Sequence, residues 1–191
     1  FCLPCLPGRY AANAGTEECR PCAGGRFTGS QSSISCTNVT DGHFLAGGNT
    51  FQIPCPAGKF ILRGAVNCSS CPKGWIQASS GKTNCTQCDP GEFSDDEGLS
   101  RCAECAAGEY SATPGSTNCS SCPKGWTQAS SGKTNCTRCD PGEFADDEGL
   151  SRCVECAAGK HTSVPAEERC HLCPAGFFQN TSKQTFCFEA V

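Results

Sequence analysis

The residues with the most chemistry in this chain are its cysteines, 21 among 191 residues. From Cys71 onward they fall at 71, 85, 88, 102, 105, 119, 122, 136, 139, 153, 156, 170, 173 and 187, in alternating steps of fourteen and three. Cys2, Cys5, Cys19, Cys22 and Cys36 open the chain on the same beat. Two chemistries suit such spacing. Thiols fourteen apart can close short disulfide loops, and adjacent C-x-x-C pairs can supply thiolates to tetrahedral zinc. At about 11 per cent cysteine the composition falls in the range of disulfide scaffolds. Such scaffolds persist in oxidising surroundings, which points to a secreted or cell-surface, extracellular chain.

The stretch between Cys36 and Cys55 separates the two chemistries. Laid over the repeat, "VTDGHF" matches "CPAGKF" at 55 to 60, with Val39 in place of the first cysteine, Gly42 on the glycine position and Phe44 on the aromatic position. The closing cysteine would fall near Gln52 or Ile53. Two cysteines fourteen apart are lost together, as loss of one disulfide requires, whereas a zinc array would lose a C-x-x-C pair. The expected disulfides join Cys5 to Cys19, Cys22 to Cys36, Cys55 to Cys68, Cys71 to Cys85 and Cys88 to Cys102. The series continues with Cys105 to Cys119, Cys122 to Cys136, Cys139 to Cys153, Cys156 to Cys170 and Cys173 to Cys187. Cys2 is left over, its partner expected upstream. No metal or other cofactor is expected.

These cysteines must be positioned by very small elements. Each repeat has seventeen residues, a Gly three after its first cysteine (Gly58, Gly91, Gly108) and usually an aromatic two further on (Phe60, Phe93, Tyr110). The Gly marks positive φ or a close approach by a neighbour. One buried aromatic contributes about 1.5–3 kcal/mol, far too little to order seventeen residues. Neighbouring repeats must therefore cover one another's aromatics. Turn signals such as "SSGKTNC" and "DDEGLSRC" precede the closing cysteine, so each repeat reads as a short irregular hairpin. The expected fold is small, disulfide-rich and irregular all-β, an elongated solenoid-like tandem array of single-disulfide repeats with essentially no helix.

The expected organisation is the end of an upstream repeat at 1–4, two repeats at 5–38, a degenerate repeat at 39–54 and eight repeats at 55–189. A block of 51 residues at 71–121 returns at 122–172, almost verbatim over its first 38 residues. The degenerate repeat is expected to exchange its disulfide for Val39 with Phe51 or Ile53, and to be the softest part of the chain.

The motif C-P-x-G-x-F/Y, a Gly-Ser/Lys-Thr turn and a closing C-x-x-C resembles the ephrin-receptor-like cysteine-rich repeat, most clearly in "CAAGEYSATPGSTNCSSC" at 105 to 122. It is also similar to the single-disulfide module of tumour necrosis factor receptor cysteine-rich domains. The resemblance implies an extracellular, elongated array with one disulfide per repeat.

The remaining chemistry is sparse. Six of eight Asn residues lie in N-x-[ST] sequons: Asn38, Asn67, Asn84, Asn118, Asn135 and Asn180. Asn67 and Asn118, like Asn84 and Asn135, are 51 residues apart, which would repeat N-linked glycans along the chain. The acidic runs Asp89, Glu92, Asp95, Asp96, Glu97 and Asp140, Glu143, Asp146, Asp147, Glu148 lack the spacing of a calcium loop and read as solvated turns. Trp75 and Trp126 are expected to pack on the next repeat or face a partner. His43, His161 and His171 are scattered without a nucleophile, so no catalytic residue and no enzyme are expected. A net charge of -4 argues against nucleic acid, and no apolar run suggests direct membrane insertion. The expected function is structural: a rigid rod, stalk or fibre subunit that self-associates or joins a longer chain of such repeats. The alternative is the ligand-binding, cysteine-rich ectodomain of a receptor.

Overall fold

The computed structural model describes residues 3–63 and 65–190. Cys2, the cysteine left over by the spacing, lies outside the described residues. Among the described residues there is no helix; the chain forms eleven two-stranded antiparallel hairpins, one per repeat. Ten of these repeats are closed by disulfides between cysteines thirteen or fourteen apart, with Cα atoms 5.6–5.8 Å apart. Each pair joins the two cysteines of one repeat, including Cys55–Cys68, thirteen apart in a repeat of sixteen residues. The fold is disulfide-rich and all-β. Numbering from Cys5, repeats 1 to 11 begin at residues 5, 22, 39, 55, 71, 88, 105, 122, 139, 156 and 173.

Each hairpin starts from a turn written in its first residues. In repeat 6 the Glu92 N–H donates to the Asp89 carbonyl at 3.0 Å across Pro90 and Gly91, and Gly91 has φ +91°. Pro at the second and Gly at the third position of a type II turn follow from its dihedrals, because Pro fixes negative φ and Gly tolerates the positive one. A strand pair of only two residues follows, as in Glu92↔Glu104 and Phe93↔Ala103. So short a hairpin is not stable alone in water, and the disulfide and the next repeat must hold it.

Two compact units emerge. The first comprises the residues through Gln87 with Asp96–Arg101; the second comprises Cys88–Asp95 with the residues from Cys102 on. Within each, a set of three backbone hydrogen bonds recurs at several junctions between consecutive repeats. In the first unit Gly58 N–H donates to Gln77 (2.7 Å), Ile61 N–H to Lys82 (3.2 Å) and Gly81 N–H back to Cys55 (2.8 Å). In the second the same link runs from Gly108 to Gln128 (2.7 Å), Ser111 to Lys133 (3.1 Å) and Gly132 to Cys105 (2.8 Å).

Such direct backbone contact favours compact side chains at the centre of each repeat. The fully buried positions are therefore the first cysteines, with Cys55, Cys71, Cys105, Cys122, Cys139 and Cys156 all at 0% exposure, and the residue after the aromatic: Ile61, Ser94, Ser111, Ala145, Thr162. The closing cysteines Cys68, Cys85, Cys102, Cys119, Cys136, Cys153 and Cys170 are only half-buried, so each disulfide runs from the interior towards the surface. The aromatics Phe60, Phe93, Tyr110 and Phe144 are likewise half-buried and Phe178 is exposed. The most buried positions are thus held by cystines and small side chains, with the aromatics beside them partly covered. Buried Gln residues fit there because they are satisfied internally. Gln77 Nε2 donates to the Asn84 carbonyl at 2.6 Å, and Gln77 Oε1 accepts from Ser79 N–H at 3.1 Å.

Repeat 3 solves the lost disulfide differently from the expectation. Phe51 and Ile53 are 50% and 36% exposed and do not replace it. Its hairpin is instead longer, pairing His43–Ala46 with Phe51–Pro54 over four residues. The Gln52 side chain then takes the clamping role: its Oε1 accepts from Thr40 N–H at 2.8 Å and its Nε2 donates to Thr40 Oγ1 at 3.0 Å. Elsewhere a turn N–H reaches the preceding repeat's first cysteine; here Asn49 Nδ2 donates to the Cys22 carbonyl at 3.2 Å, a side-chain substitute for the same bond.

Candidate functional site

Three surface features are candidates for chemistry or recognition. The first lies in the first unit, where repeats 2, 3 and 4 leave a cleft of about 610 Å³ lined by Gly25, Val39, Phe44, Ile61, Leu62 and Val66 among others. Two of its lining residues, Asn38 and Asn67, are sequon asparagines, and Asp41 and Arg63 approach to 3.9 Å at its mouth as an exposed, weak ion pair.

The second feature is the sequon set. Asn38, Asn67, Asn84, Asn118, Asn135 and Asn180 are all solvent-exposed. In repeats 5 and 8 the adjoining backbone is fixed, because the Asn84 and Asn135 carbonyls accept from the buried Gln77 and Gln128 amides at 2.6 and 2.7 Å.

The acidic runs form turns rather than an ion cage. Asp96 Oδ1 accepts from Glu97 N–H at 2.8 Å, and Asp147 Oδ1 accepts from Glu148 N–H at 3.0 Å, each closing its own turn. Glu143 leaves this pattern to accept from Lys183 Nζ at 2.6 Å. That hydrogen bond, with the negative charges of Glu143, Glu155 and Asp140, raises the Lys183 ammonium above its ordinary pKa of 10.5. Trp126 packs within its own hairpin: it pairs with Arg138, whose guanidinium lies 5.8 Å from the ring centroid. In the earlier copy of the block Trp75 pairs with Gln87 in place of an Arg.

The third feature was hidden by sequence distance. His161 and His171 stand directly opposite each other in the hairpin of repeat 10, with ring centroids 6.4 Å apart. They occupy the cross-strand position that holds Phe144↔Val154 in repeat 9 and Phe178↔Phe188 in repeat 11. The ten-residue gap between them gave no sign of this; the signal available was the repeat alignment, which places His161 on the aromatic position and His171 one residue past the closing Cys170.

Taken together, the geometry is a tandem array of single-disulfide hairpins whose turns carry the sequence motif. Residues 58–96 and 91–135 match the model of the family described as tyrosine-protein kinase ephrin type A/B receptor-like. The repeats at 58–135 are similar to ephrin-receptor-like repeats. The match spans less than half of the chain, but the ephrin-receptor-like geometry continues outside it: repeats 1, 2, 9, 10 and 11 carry the same disulfide and the same hairpin. No curated protein matches the chain. Ephrin-receptor-like repeats are a receptor-type cysteine-rich module and not an enzyme family, and with ten disulfides they mark an extracellular domain. Among the described residues no helix is long and apolar enough to cross a membrane.

Proposed function

We propose that this chain is a structural segment of an extracellular glycoprotein, a stiff spacer, stalk or fibre subunit, secreted or held at a cell surface. One observation carries the reading: the three-bond link between repeats recurs with the same donors and acceptors within each unit, as in Gly58 to Gln77 and Gly108 to Gln128. A contact that joins unlike faces and does not close on itself can propagate without limit. Chains of this kind extend by adding repeats or by self-association, and N-linked glycans on the six exposed sequons would keep lateral surfaces soluble. Electron microscopy of native glycosylated material tests the proposal. Extended particles or filaments are expected; dispersed compact chains that bind a protein ligand saturably would overturn it.

A receptor ectodomain is the second reading, and the cleft beside repeat 3 is what favours it. A concave, partly apolar surface is the usual form of a recognition site. Under this reading, substitutions at Leu62 and Val66 would abolish binding of the ligand without changing particle shape.

A further inference from the structure

We propose that His161, His171 and Glu167 form a binding site for a divalent transition-metal ion of the Zn²⁺ or Cu²⁺ class. Residues directly opposite on an antiparallel pair have Cβ atoms about 4.5–5.5 Å apart, so two imidazoles there can share one ion. Repeat 10 is the one hairpin among the described residues with His on both sides of a cross-strand pair; the register is His161↔His171, with rings 6.4 Å apart and tilted by 58°. The ligand atoms do not yet converge within 4.8 Å, so an ion about 2.0–2.1 Å from one nitrogen of each ring requires the exposed side chains to close on it.

The surroundings of His161 prepare one of its nitrogens. His161 Nδ1 lies 3.2 Å from Cys187 Sγ. That sulfur belongs to the Cys173–Cys187 disulfide and carries no proton, so the contact is made by Nδ1–H donating to it. The neutral ring then has its lone pair on Nε2, the form a metal requires, with its orientation set by the partner of the other nitrogen. Cys173 and Cys187 lie close enough to His161 to suggest a mixed His and thiolate site, but their sulfurs are bonded to each other and are not thiolate ligands.

The third ligand is Glu167. Its Oε2 lies 3.8 Å from His171 Nε2, close enough for both to reach a common ion. The Glu167 backbone is anchored to the preceding repeat, where its carbonyl accepts from Ala145 N–H at 3.1 Å and it bridges Phe144. Two imidazoles and one carboxylate are a donor set suited to zinc and copper, and with His171 exposed the remaining coordination positions stay open to water or a further ligand.

The experiment is titration of the full chain with Zn²⁺ by calorimetry, with imidazole resonances followed by NMR. One saturable site that shifts both His161 and His171 is expected. His161→Phe restores the aromatic found in most other repeats, and His171→Ser matches Ser120 in repeat 7, so both variants should fold with all disulfides intact. Each should weaken Zn²⁺ binding by roughly tenfold or more, and Glu167→Gln should weaken it measurably. Absence of saturable binding at millimolar Zn²⁺, or unchanged binding in His161→Phe and His171→Ser, would overturn the site. Unchanged binding in Glu167→Gln alone would overturn the three-ligand assignment.

Discussion

The carbonyl oxygen of Gly98 occupies the place where a β-carbon on Gly58 would stand, two repeats upstream. The same relationship joins Gly108 to Gly149 and Gly125 to Ala166 in the second unit, so these repeats meet the second repeat along by backbone contact as well as the next by hydrogen bonds. Gly58 also has φ +81°.

Gly58→Ala should therefore suffer twice, through left-handed strain of about 1–2 kcal/mol and overpacking of about 1–3 kcal/mol against a backbone atom that cannot swing away. Gly15→Ala supplies the control: its φ is +77° but a β-carbon there meets nothing within 4 Å. Urea unfolding should show a loss for Gly58→Ala at least twice that for Gly15→Ala. Equal losses would mean that the contact with Gly98 contributes nothing.

Removing one staple tests the other half of the design. Cys105→Ser with Cys119→Ser opens a loop of about fifteen residues, for which chain entropy gives roughly 3 kcal/mol. The neighbouring repeats hold this hairpin through Gly91 and Gly132, so the expected result is local loosening, read as faster hydrogen exchange at 105–121, with the other nine disulfides still formed by mass mapping.

Repeat 3 has no staple and should exchange first. Amides in residues 39–54 are expected to lose protection before those of any disulfide-closed repeat, and Gln52→Ala should accelerate them further by removing two hydrogen bonds to Thr40, each contributing about 0.5–1.5 kcal/mol. Uniform protection along the chain would contradict this.

Lys183 should titrate late. Its folded pKa is raised above 10.5 by Glu143, so the stabilisation it brings is fully present below 10.5 and is lost as pH rises through the higher folded value. NMR titration of the Lys183 side chain is expected to show a midpoint above 10.5, returning towards the ordinary value in Glu143→Gln. A midpoint unmoved by Glu143→Gln would show that the 2.6 Å contact is not formed in solution.

Enzymatic removal of N-glycans in heavy-oxygen water should label the exposed asparagines, with Asn67, Asn84, Asn118 and Asn135 labelled alike. Labelling of Asn84 without Asn135 would break the equivalence of the two copies of the 51-residue block.

Much of the fold was legible because it is written in covalent and backbone chemistry. Fourteen-residue cysteine spacing permits a closed loop, Pro90-Gly91 dictates a type II turn, and both act within a single repeat. The loss of Cys from positions 39 and 52–53 was equally legible, but its replacement was not. Gln52 is an ordinary polar residue until the longer hairpin sets it against Thr40, and Asn49 gains its role only when folding brings Cys22 to it. Periodicity likewise shows that a ring recurs, and not that cystines and small side chains hold the most buried positions.

By itself, the sequence determined the local unit: cysteine spacing, turn residues and period specify one stapled hairpin, since each depends on atoms fewer than seventeen residues apart. Tertiary structure alone decided how a repeat meets the second repeat after it and why Gly58 admits no side chain. Those outcomes depend on distances between segments, which are set by the rise and rotation of one repeat on the next and are carried by no single residue.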